Sequence, residues 1–339
     1  MFSVVIPLYN KATTIADTLN SVLKQTFDDY EVVVVDDGST DESLKIAQSF
    51  FNPRIRIYSK LHEGVSETRN YGIDQAREKY IAFLDADDLW EPDYLKEMFW
   101  LIKKYPDCSM FASAYKVISK NKTSVKCTTL PEGVLDNIFA VRFQHRIMRI
   151  SATVVQKNVF DIVGGFPEGM IGGEDEYTWA KIAIRFKVAF TPKVLATYDN
   201  RYSSFQNRKG KMDHCKESWF DLYEEGNFYL NEFIAYKAIT AGIRYAFGTS
   251  QVASFEIEEK TKFTMLSKQQ WNYLYFLNHL PFFVVAIIKR AIPLYKDSKS
   301  FCSRTLKGIK GKLHKTSDKK KTVPTDRLLT NLYQQKVGK

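Results

Sequence analysis

Short apolar runs alternate with helical stretches in the N-terminal part of the chain, and this alternation constrains the fold more than any other feature. Three runs of strand length are largely apolar: Phe2 to Ile6, Glu31 to Val35 and Tyr80 to Leu84. Such continuous runs are typical of strands that are buried on both faces. Helices are predicted between them, at Thr13 to Lys24 and Ser66 to Ala76. The pattern predicts an α/β fold with a mostly parallel central sheet flanked by helices.

Further strands and helices continue this pattern to about residue 200. Ser39 and Glu42 have the spacing of a capping box and predict the start of a helix. The other strands are predicted at Arg54 to Tyr58, Ser109 to Ile118, Ser151 to Val155 and Val188 to Tyr198, the last as an edge strand. The other helices are predicted at Pro92 to Lys104 and from Glu174 onward.

The character of the chain changes beyond about Ser203, where long, aromatic-rich helical patterns replace the strand signals. We therefore predict an α/β domain over residues 1–205, a helical extension over 206–295 and a basic, flexible tail over 296–339. The net charge of +10 is concentrated near the end, because Lys289 to Lys321 contains twelve Lys and Arg against two Asp. A cationic segment of this kind predicts contact with an anionic surface.

Three predicted strands end in polar or turn-forming residues. These are Pro7-Leu8-Tyr9, Asp36-Asp37 and Asp85-Ala86-Asp87. In open α/β sheets, ligands bind in the crevice beyond the carboxyl ends of the strands. We therefore expect these three segments to converge on one ligand site.

Asp85 and Asp87 point the same way if the chain leaves the strand extended, and Asp88 adds a third carboxylate. Clustered carboxylates repel one another, by about 4 kcal/mol at contact distance and an effective dielectric near 20. A bound divalent cation would relieve that repulsion, and hard oxygen ligands favour Mg²⁺ or Mn²⁺. The alternative is a solvated acidic loop, which is the commoner setting of an isolated Asp-x-Asp tripeptide.

Three more residues have a structural and a functional interpretation. Asp37 either belongs to a turn or accepts a hydrogen bond from a nucleotide base or ribose, and Gly38 beside it allows close backbone approach. Arg69 either pairs with the acidic cluster or contacts a nucleotide. Asp175 either caps the helix that begins at Glu174 or acts as a general base.

Five sequence blocks follow one another along the chain: Ser3 to Asn10, Val35 to Asp41, Gly64 to Asn70, Phe83 to Asp88, and Val163 to Glu168 followed by Glu174-Asp175. In order and spacing, these blocks resemble those of a family 2 glycosyltransferase of the GT-A fold. The resemblance covers roughly residues 1–200.

The resemblance implies how a nucleotide diphosphate sugar is bound. Pro7 and Tyr9 would line the pocket for the base, Asp37 would hydrogen-bond the base with help from Arg69, and Asp85 would contact the ribose. UDP is the expected nucleotide. The expected acceptor is a saccharide or a lipid-linked glycan, as in the assembly of bacterial surface polysaccharides.

The resemblance also implies the chemistry. Asp87 would coordinate Mg²⁺ or Mn²⁺ at the diphosphate, and Asp175 would be the general base of a single-displacement, inverting transfer. Many relatives carry a metal-contacting histidine after the last strand, where this chain has Tyr198 to Tyr202. The third contact to metal or phosphate is therefore open, with Arg201 as an electrostatic substitute.

Two other enzyme classes fit the sequence poorly. A nucleotidyltransferase needs a glycine-rich loop after the first strand, and Tyr9 to Ala12 contains no glycine. A dinucleotide-dependent oxidoreductase needs Gly-x-Gly-x-x-Gly at that point, and the motif is absent there. A catalytically inactive scaffold of the same fold is the non-enzyme alternative, although Asp87 and Asp175 are both present.

The C-terminal part suggests contact with a membrane surface. Leu274 to Ile288 is the most apolar stretch but is shorter than the roughly 20 residues that span a bilayer. Lys289-Arg290 follows at once, so residues 274–321 are predicted to bind an anionic membrane surface, with a core helix and a flexible tail as the alternative. No secretory leader is visible and the four cysteines have no disulfide or zinc spacing. We expect a cytoplasmic protein, peripheral on the inner membrane, that does not bind nucleic acid.

Overall fold

The computed structural model describes residues 1–120, 122–145, 147–170, 172–202, 215–248 and 250–291. The chain divides into two compact units, Met1–Ser218 and Trp219–Lys339. The predicted domain boundary at residue 205 and the predicted tail over 296–339 lie outside the described residues.

A ten-stranded sheet forms the centre of the first unit, as far as the structure describes it. The strands are β1 Phe2–Leu8, β2 Tyr30–Asp36, β3 Ile55–Ser59, β4 Tyr80–Phe83, β5 Leu89–Trp90, β6 Cys108–Ser119, β7 Lys122–Lys126, β8 Gly133–Val134, β9 Thr153–Gln156 and β10 Lys187–Asp199. Their order is β3-β2-β1-β4-β9-β6-β10-β5, with β7 on β6 and β8 on β10. The helices of this unit are α1 Ile15–Leu23, α2 Ser43–Gln48, α3 Val65–Gln75, α4 Tyr94–Lys104, α5 Ile138–Gln144, α6 Val159–Val163 and α7 Glu174–Arg185.

The sheet has a parallel part and a mixed part. Strands β1, β2, β3 and β4 are parallel to one another. Strand β9 then runs antiparallel to both β4 and β6, and β6 pairs in parallel with β10. The predicted α/β fold with a central sheet and flanking helices is confirmed. The prediction that Val188 to Tyr198 is an edge strand is wrong, because β10 pairs with β6 on one side and with β5 and β8 on the other.

The parallel part is held together by apolar side chains without exposed surface, among them Val4, Val33 and Ile81. Helix α3 covers β1 and β2 closely. A Cβ atom added to Gly72 of this helix would lie 2.4 Å from Cγ1 of Val5. Glycine is therefore required at this position for α3 to approach the sheet.

Register brings the strand ends to one edge of the sheet. Leu8, the last residue of β1, pairs with Asp36 of β2, and Val5 pairs with Phe83 of β4. The amide of Asp37 donates to the carbonyl of Leu8 at 2.8 Å. The segments that follow β1, β2 and β4 therefore begin side by side, as the sequence predicted.

The loop after β2 differs from the prediction. Helix α2 begins at Ser43, and the residue before it, Glu42, makes no capping hydrogen bond through its side chain. The Ser39 hydroxyl instead accepts from the amide of Asn10 at 3.1 Å. The predicted capping box of Ser39 and Glu42 is wrong, because this loop binds the loop after β1 rather than starting the helix at Ser39.

The described part of the second unit is helical. Its helices are α8 Phe228–Ala246, α9 Gln251–Lys260, α10 Lys268–Asn278 and α11 Phe282–Ala291. A small apolar core joins α8 to α10 through Ala235, Ile239, Leu274 and Leu277. Across the described residues, no helix has both the length and the apolar character needed to cross a bilayer.

Candidate functional site

The acidic loop after β4 lies between two cationic side chains. The Lys11 ammonium donates to Oδ2 of Asp87 at 2.5 Å, and Nη2 of Arg69 donates to Oδ1 of Asp85 at 2.8 Å. Asp87 is almost buried, whereas the Asp85 side chain keeps a quarter of its surface exposed. The loop is therefore partly buried and paired with cations, and it is not a solvated acidic turn.

Asp88 points into the protein. Its carboxylate accepts from the Ser151 hydroxyl at 2.5 Å and from the amide of Asp199 at 3.0 Å. Burial, together with the neighbouring charges of Asp87 and Asp85, raises the pKa of Asp88 well above the usual range of an aspartate. Asp88 therefore fixes the acidic loop to the start of β9 and the end of β10.

Arg69 joins the acidic loop to helix α7. Its guanidinium is 3% exposed and donates to Asp85 and, through Nη1, to Oε1 of Glu174 at 3.1 Å. Although burial opposes it, the charges of Asp85, Glu174 and Asp175 raise the pKa of Arg69. Of the two interpretations from sequence, pairing with the acidic cluster is what the structure shows. Arg69 thereby brings the predicted donor-binding residue Asp85 and the predicted base Asp175 to the same site.

The Asp37 carboxylate is a second buried acidic group, in addition to those of the acidic loop after β4. One carboxylate oxygen accepts from Lys60 Nζ at 2.7 Å and the Glu63 amide at 3.0 Å, and the other from the Gly64 amide at 3.0 Å. Nδ1 of His62 lies 2.8 Å from that second oxygen. Burial opposes ionisation, but the Lys60 and backbone hydrogen bonds outweigh it and lower the pKa of Asp37. Asp37 thus holds the loop before α3 in place, and its contact with a nucleotide base stays a prediction.

Tyr9 and Pro7 lie at the end of β1. The Tyr9 ring stacks on the His62 ring with centroids 4.1 Å apart and planes 15° apart. Tyr9 remains 39% exposed, and Pro7 pairs with Val35 inside the sheet. His62 contacts Asp37 and stacks on Tyr9, so the two residues predicted to bind the nucleotide base lie close together. The exposed aromatic pair offers a flat surface suited to a base.

Asp175 lies in the first turn of α7. The residue before this helix is Gly173, in the left-handed region with φ 94°, and it rather than Asp175 occupies the cap position. Oδ1 of Asp175 accepts from the neighbouring amide of Glu176 at 2.8 Å, and the side chain is partly exposed. The capping role is therefore not the one observed. The role of Asp175 as a general base stays a prediction.

The carboxylates suit a hard divalent cation that the donor phosphates help to bind. Within the described residues, no three His, Cys, Asp or Glu side chains are grouped to hold a metal. Mg²⁺, however, is commonly bound by one or two carboxylates together with substrate phosphates. Burial and, after it, the charge of Asp85 raise the pKa of Asp87, although Lys11 opposes this. Asp87 thus fits a metal whose other ligands come from a diphosphate and water.

After the last strand, where the family resemblance implies a metal-contacting histidine, this chain forms a local ion pair. Nη2 of Arg201 donates to Oδ2 of Asp199 at 2.6 Å, and the backbone amide of Arg201 donates to Oδ1 at 3.0 Å. The cation that contacts Asp87 is Lys11, whose ammonium also donates to the carbonyl of Tyr202 at 2.8 Å. Replacement of the histidine by Arg201 stays a prediction.

Sequence reasoning missed three residues of the site. Lys11 could have been identified as a candidate because it is the first basic residue after β1. Ser151 had none, although its hydroxyl also accepts from the amide of Asp85 at 3.1 Å. Arg149 lies with Cζ 3.8 Å above the centre of the Tyr198 ring, and its Nε atom is buried with no hydrogen-bond partner in the described part of the chain. These residues are far from the acidic loop in sequence and reach it only through the fold.

The matching family model and the curated relatives described below are all glycosyltransferases. The model described as glycosyl transferase family 2 matches residues 3–166. The putative teichuronic acid biosynthesis glycosyltransferase TuaG of Bacillus subtilis is 33% identical over 139 residues, covering 40% of this chain and 54% of that protein. An uncharacterized glycosyltransferase of Rickettsia conorii is 31% identical over 201 residues, covering 57% of this chain and 32% of that protein. The matched part spans about a third of the length of the first curated relatives.

Solved structures share the fold. The crystal structure of S. aureus TarS 1-349 in complex with UDP-GlcNAc superposes with a TM-score of 0.56 at 20% identity, covering 80% of this chain and 79% of that chain. A second TarS structure gives a TM-score of 0.60 at 18% identity, covering 81% of this chain and 53% of that chain. The likeness confirms the fold predicted from sequence, which is of the GT-A type.

Proposed function

We propose that the protein is a member of glycosyl transferase family 2, whose model matches residues 3–166, and that it transfers a sugar from a nucleotide diphosphate sugar to a saccharide or a lipid-linked glycan. The donor is UDP-linked. TuaG is named for teichuronic acid biosynthesis and a TarS structure contains UDP-GlcNAc, and both are consistent with a UDP-sugar and a cell-surface polymer.

One observation carries the proposal: the buried bridge from Asp85 through Arg69 to Glu174. Asp85 follows the strand that would face the donor, and Glu174 begins the helix that holds Asp175. A transferase needs the donor sugar and a base for the acceptor within reach of one another. The bridge links the loop that holds Asp85 to the helix that holds Asp175.

Each residue has a defined role in this proposal. Tyr9, Pro7 and Asp37 bind the base, Arg69 assists, and Asp85 contacts the ribose. Asp87 binds Mg²⁺ or Mn²⁺, which would neutralise the leaving diphosphate when bound.

Asp175 removes the proton of the acceptor hydroxyl as its oxygen attacks the anomeric carbon. The new C–O bond forms as the bond to the diphosphate breaks, and the sugar configuration inverts. The proton passes to Asp175 and the electron pair leaves with the diphosphate.

We propose that the C-terminal part binds a membrane surface and that this surface is the cytoplasmic face of the inner membrane. In α11 the apolar side chains of Phe283 and Ile287 are 67% and 62% exposed and lie one turn apart. Amphipathic helices of this kind bind membrane surfaces, with basic residues next to them adding attraction to anionic lipid. Residues 292–321 of the proposed membrane segment lie outside the described residues.

A donor screen tests the function. The purified protein is incubated with a set of nucleotide sugars and Mn²⁺, and binding and slow hydrolysis of each are measured. We expect one UDP-sugar to be bound and hydrolysed, with Asp175→Asn retaining binding but losing turnover. Binding without turnover in both proteins would favour the inactive scaffold, and release of diphosphate with a nucleoside triphosphate and a sugar phosphate would favour a nucleotidyltransferase.

A fractionation experiment tests the location. Cell extracts are separated into soluble and membrane fractions at low and high salt. We expect membrane association that high salt weakens, because salt screens the attraction between basic residues and anionic lipid. Full recovery in the soluble fraction at low salt would refute the proposed membrane contact.

A further inference from the structure

Lys11 occupies an unusual position for a lysine. Its side chain is 15% exposed, and its ammonium lies 2.5 Å from Oδ2 of Asp87 and 2.8 Å from the carbonyl oxygen of Tyr202. Lysine is almost never so enclosed unless it is paired. Here the pair involves the carboxylate that we propose as the metal ligand.

The backbone around Lys11 is held from two sides, so this placement is part of the fold. The Lys11 amide donates to the Ser43 hydroxyl at 2.6 Å. The preceding residue, Asn10, adopts the left-handed region with φ 50°, and its side-chain oxygen accepts from the Thr40 amide at 2.8 Å. A non-glycine residue in that region is uncommon and requires support from its surroundings. The loop after β1 therefore directs the Lys11 side chain toward the acidic loop.

The charges around Asp87 explain why a cation is needed there. Arg69 engages Asp85 and Glu174 on the far side of the loop. Lys11 is thus the cation in direct contact with Asp87 among the described residues. An enclosed carboxylate without an adjacent cation costs several kcal/mol. Lys11 supplies one positive charge where a divalent metal would supply two.

We propose that Lys11 is the resident counter-cation of Asp87 in the donor-free protein and that the divalent metal bound with the donor has to displace it. The proposal rests on the proposed function, since it takes Asp87 as the metal ligand. The reason is that the Lys11 ammonium, 2.5 Å from Oδ2 of Asp87, and a divalent cation bound to the same carboxylate would repel each other. Lys11 therefore lowers the gain in donor affinity that the metal brings.

Calorimetric titration of UDP with and without Mn²⁺ tests this competition. The measured quantity is the ratio of UDP affinity with Mn²⁺ to the affinity without it. In Lys11→Met the metal displaces no ammonium, so we expect a ratio on the order of tenfold larger than in the unchanged protein, which corresponds to a coupling of about 1.4 kcal/mol. Lys11→Gln is a second neutral variant, and thermal unfolding shows which of the two is folded.

Two matched variants control for the positive charge at position 11 and for the loss of a lysine elsewhere on the surface. Lys11→Arg keeps the positive charge and should keep the ratio close to that of the unchanged protein. Lys45→Met removes an exposed lysine of α2 that pairs with Glu42, and the ratio should stay within about twofold. An equal or smaller ratio in both neutral Lys11 variants overturns the proposal while leaving UDP binding intact. No UDP binding by any of the proteins, with or without Mn²⁺, overturns the proposed function and this inference with it.

Discussion

Replacing Arg69 by methionine tests whether the bridge under the site holds it together. Methionine has a similar length but no charge, so Glu174, 8% exposed, and Asp85, a quarter exposed, both lose a cationic partner. Removing one member of a buried ion pair costs about 3–5 kcal/mol. Because Asp85 is partly hydrated, we expect the lower end, about 3 kcal/mol. For a domain of this size about 1 kcal/mol corresponds to roughly 2–4 °C, so the melting temperature should fall by about 6–12 °C.

The assay is thermal unfolding of the full chain followed by circular dichroism. Arg54→Met is the matched control, because Arg54 pairs with Asp28 at 3.0 Å but both side chains are well exposed. Exposed pairs of this kind contribute about 0–1 kcal/mol. We expect the double variant Arg69→Met, Glu174→Gln to regain about 1–2 kcal/mol, since the second change removes the charge left behind. A loss for Arg69→Met no greater than for Arg54→Met, or strictly additive effects in the double variant, would refute the reasoning.

Three further changes probe other parts of the site. Asp175→Asn should slow sugar transfer by at least about 100-fold while melting temperature and UDP binding stay unchanged; parallel loss of stability would contradict a role as base. Asp37→Asn should cost about 2 kcal/mol at neutral pH, because the pKa of Asp37 is lowered by Lys60 and backbone donors in the folded state. That contribution is present above the ordinary pKa of 3.8 and is lost as the pH falls through the folded value, so melting curves of the two proteins should converge in acid. Gly72→Ala places a Cβ 2.4 Å from Val5 and should destabilise by about 1–3 kcal/mol in urea unfolding, and an unchanged midpoint would show that α3 can move away from the sheet.

The parallel part of the fold could be predicted because its signals are local. Strands β1 and β2 consist mainly of apolar, β-branched residues, strand β4 is a short apolar run, and acidic residues follow β2 and β4 within two positions. Burial on both faces produces that composition directly. The rule that ligands lie beyond the carboxyl ends of such strands then predicts that Asp37, Asp85 and Asp87 belong to one site.

The mixed part could not be predicted in the same way. Strand β9 has only four residues, and nothing in its sequence shows that it runs antiparallel between β4 and β6. Ser39 has the sequence of a helix cap but hydrogen-bonds Asn10 instead. Contacts such as those of Lys11 and Ser151 with the acidic loop join distant segments, and they leave no periodicity in the sequence.

The hydrogen bond from Lys11 to the carbonyl of Tyr202 bears on the order in which the first unit folds. The two residues are 191 positions apart, and the contact between Asp88 and the amide of Asp199 spans 111 positions. Contacts between such distant residues form late, because a long loop must close first. During synthesis, strands β1 to β4 have left the ribosome well before β10 exists. We therefore expect a nascent chain to gain affinity for nucleotide only when β10 has joined the sheet, so that nucleotide binding reports the completion of folding in this unit.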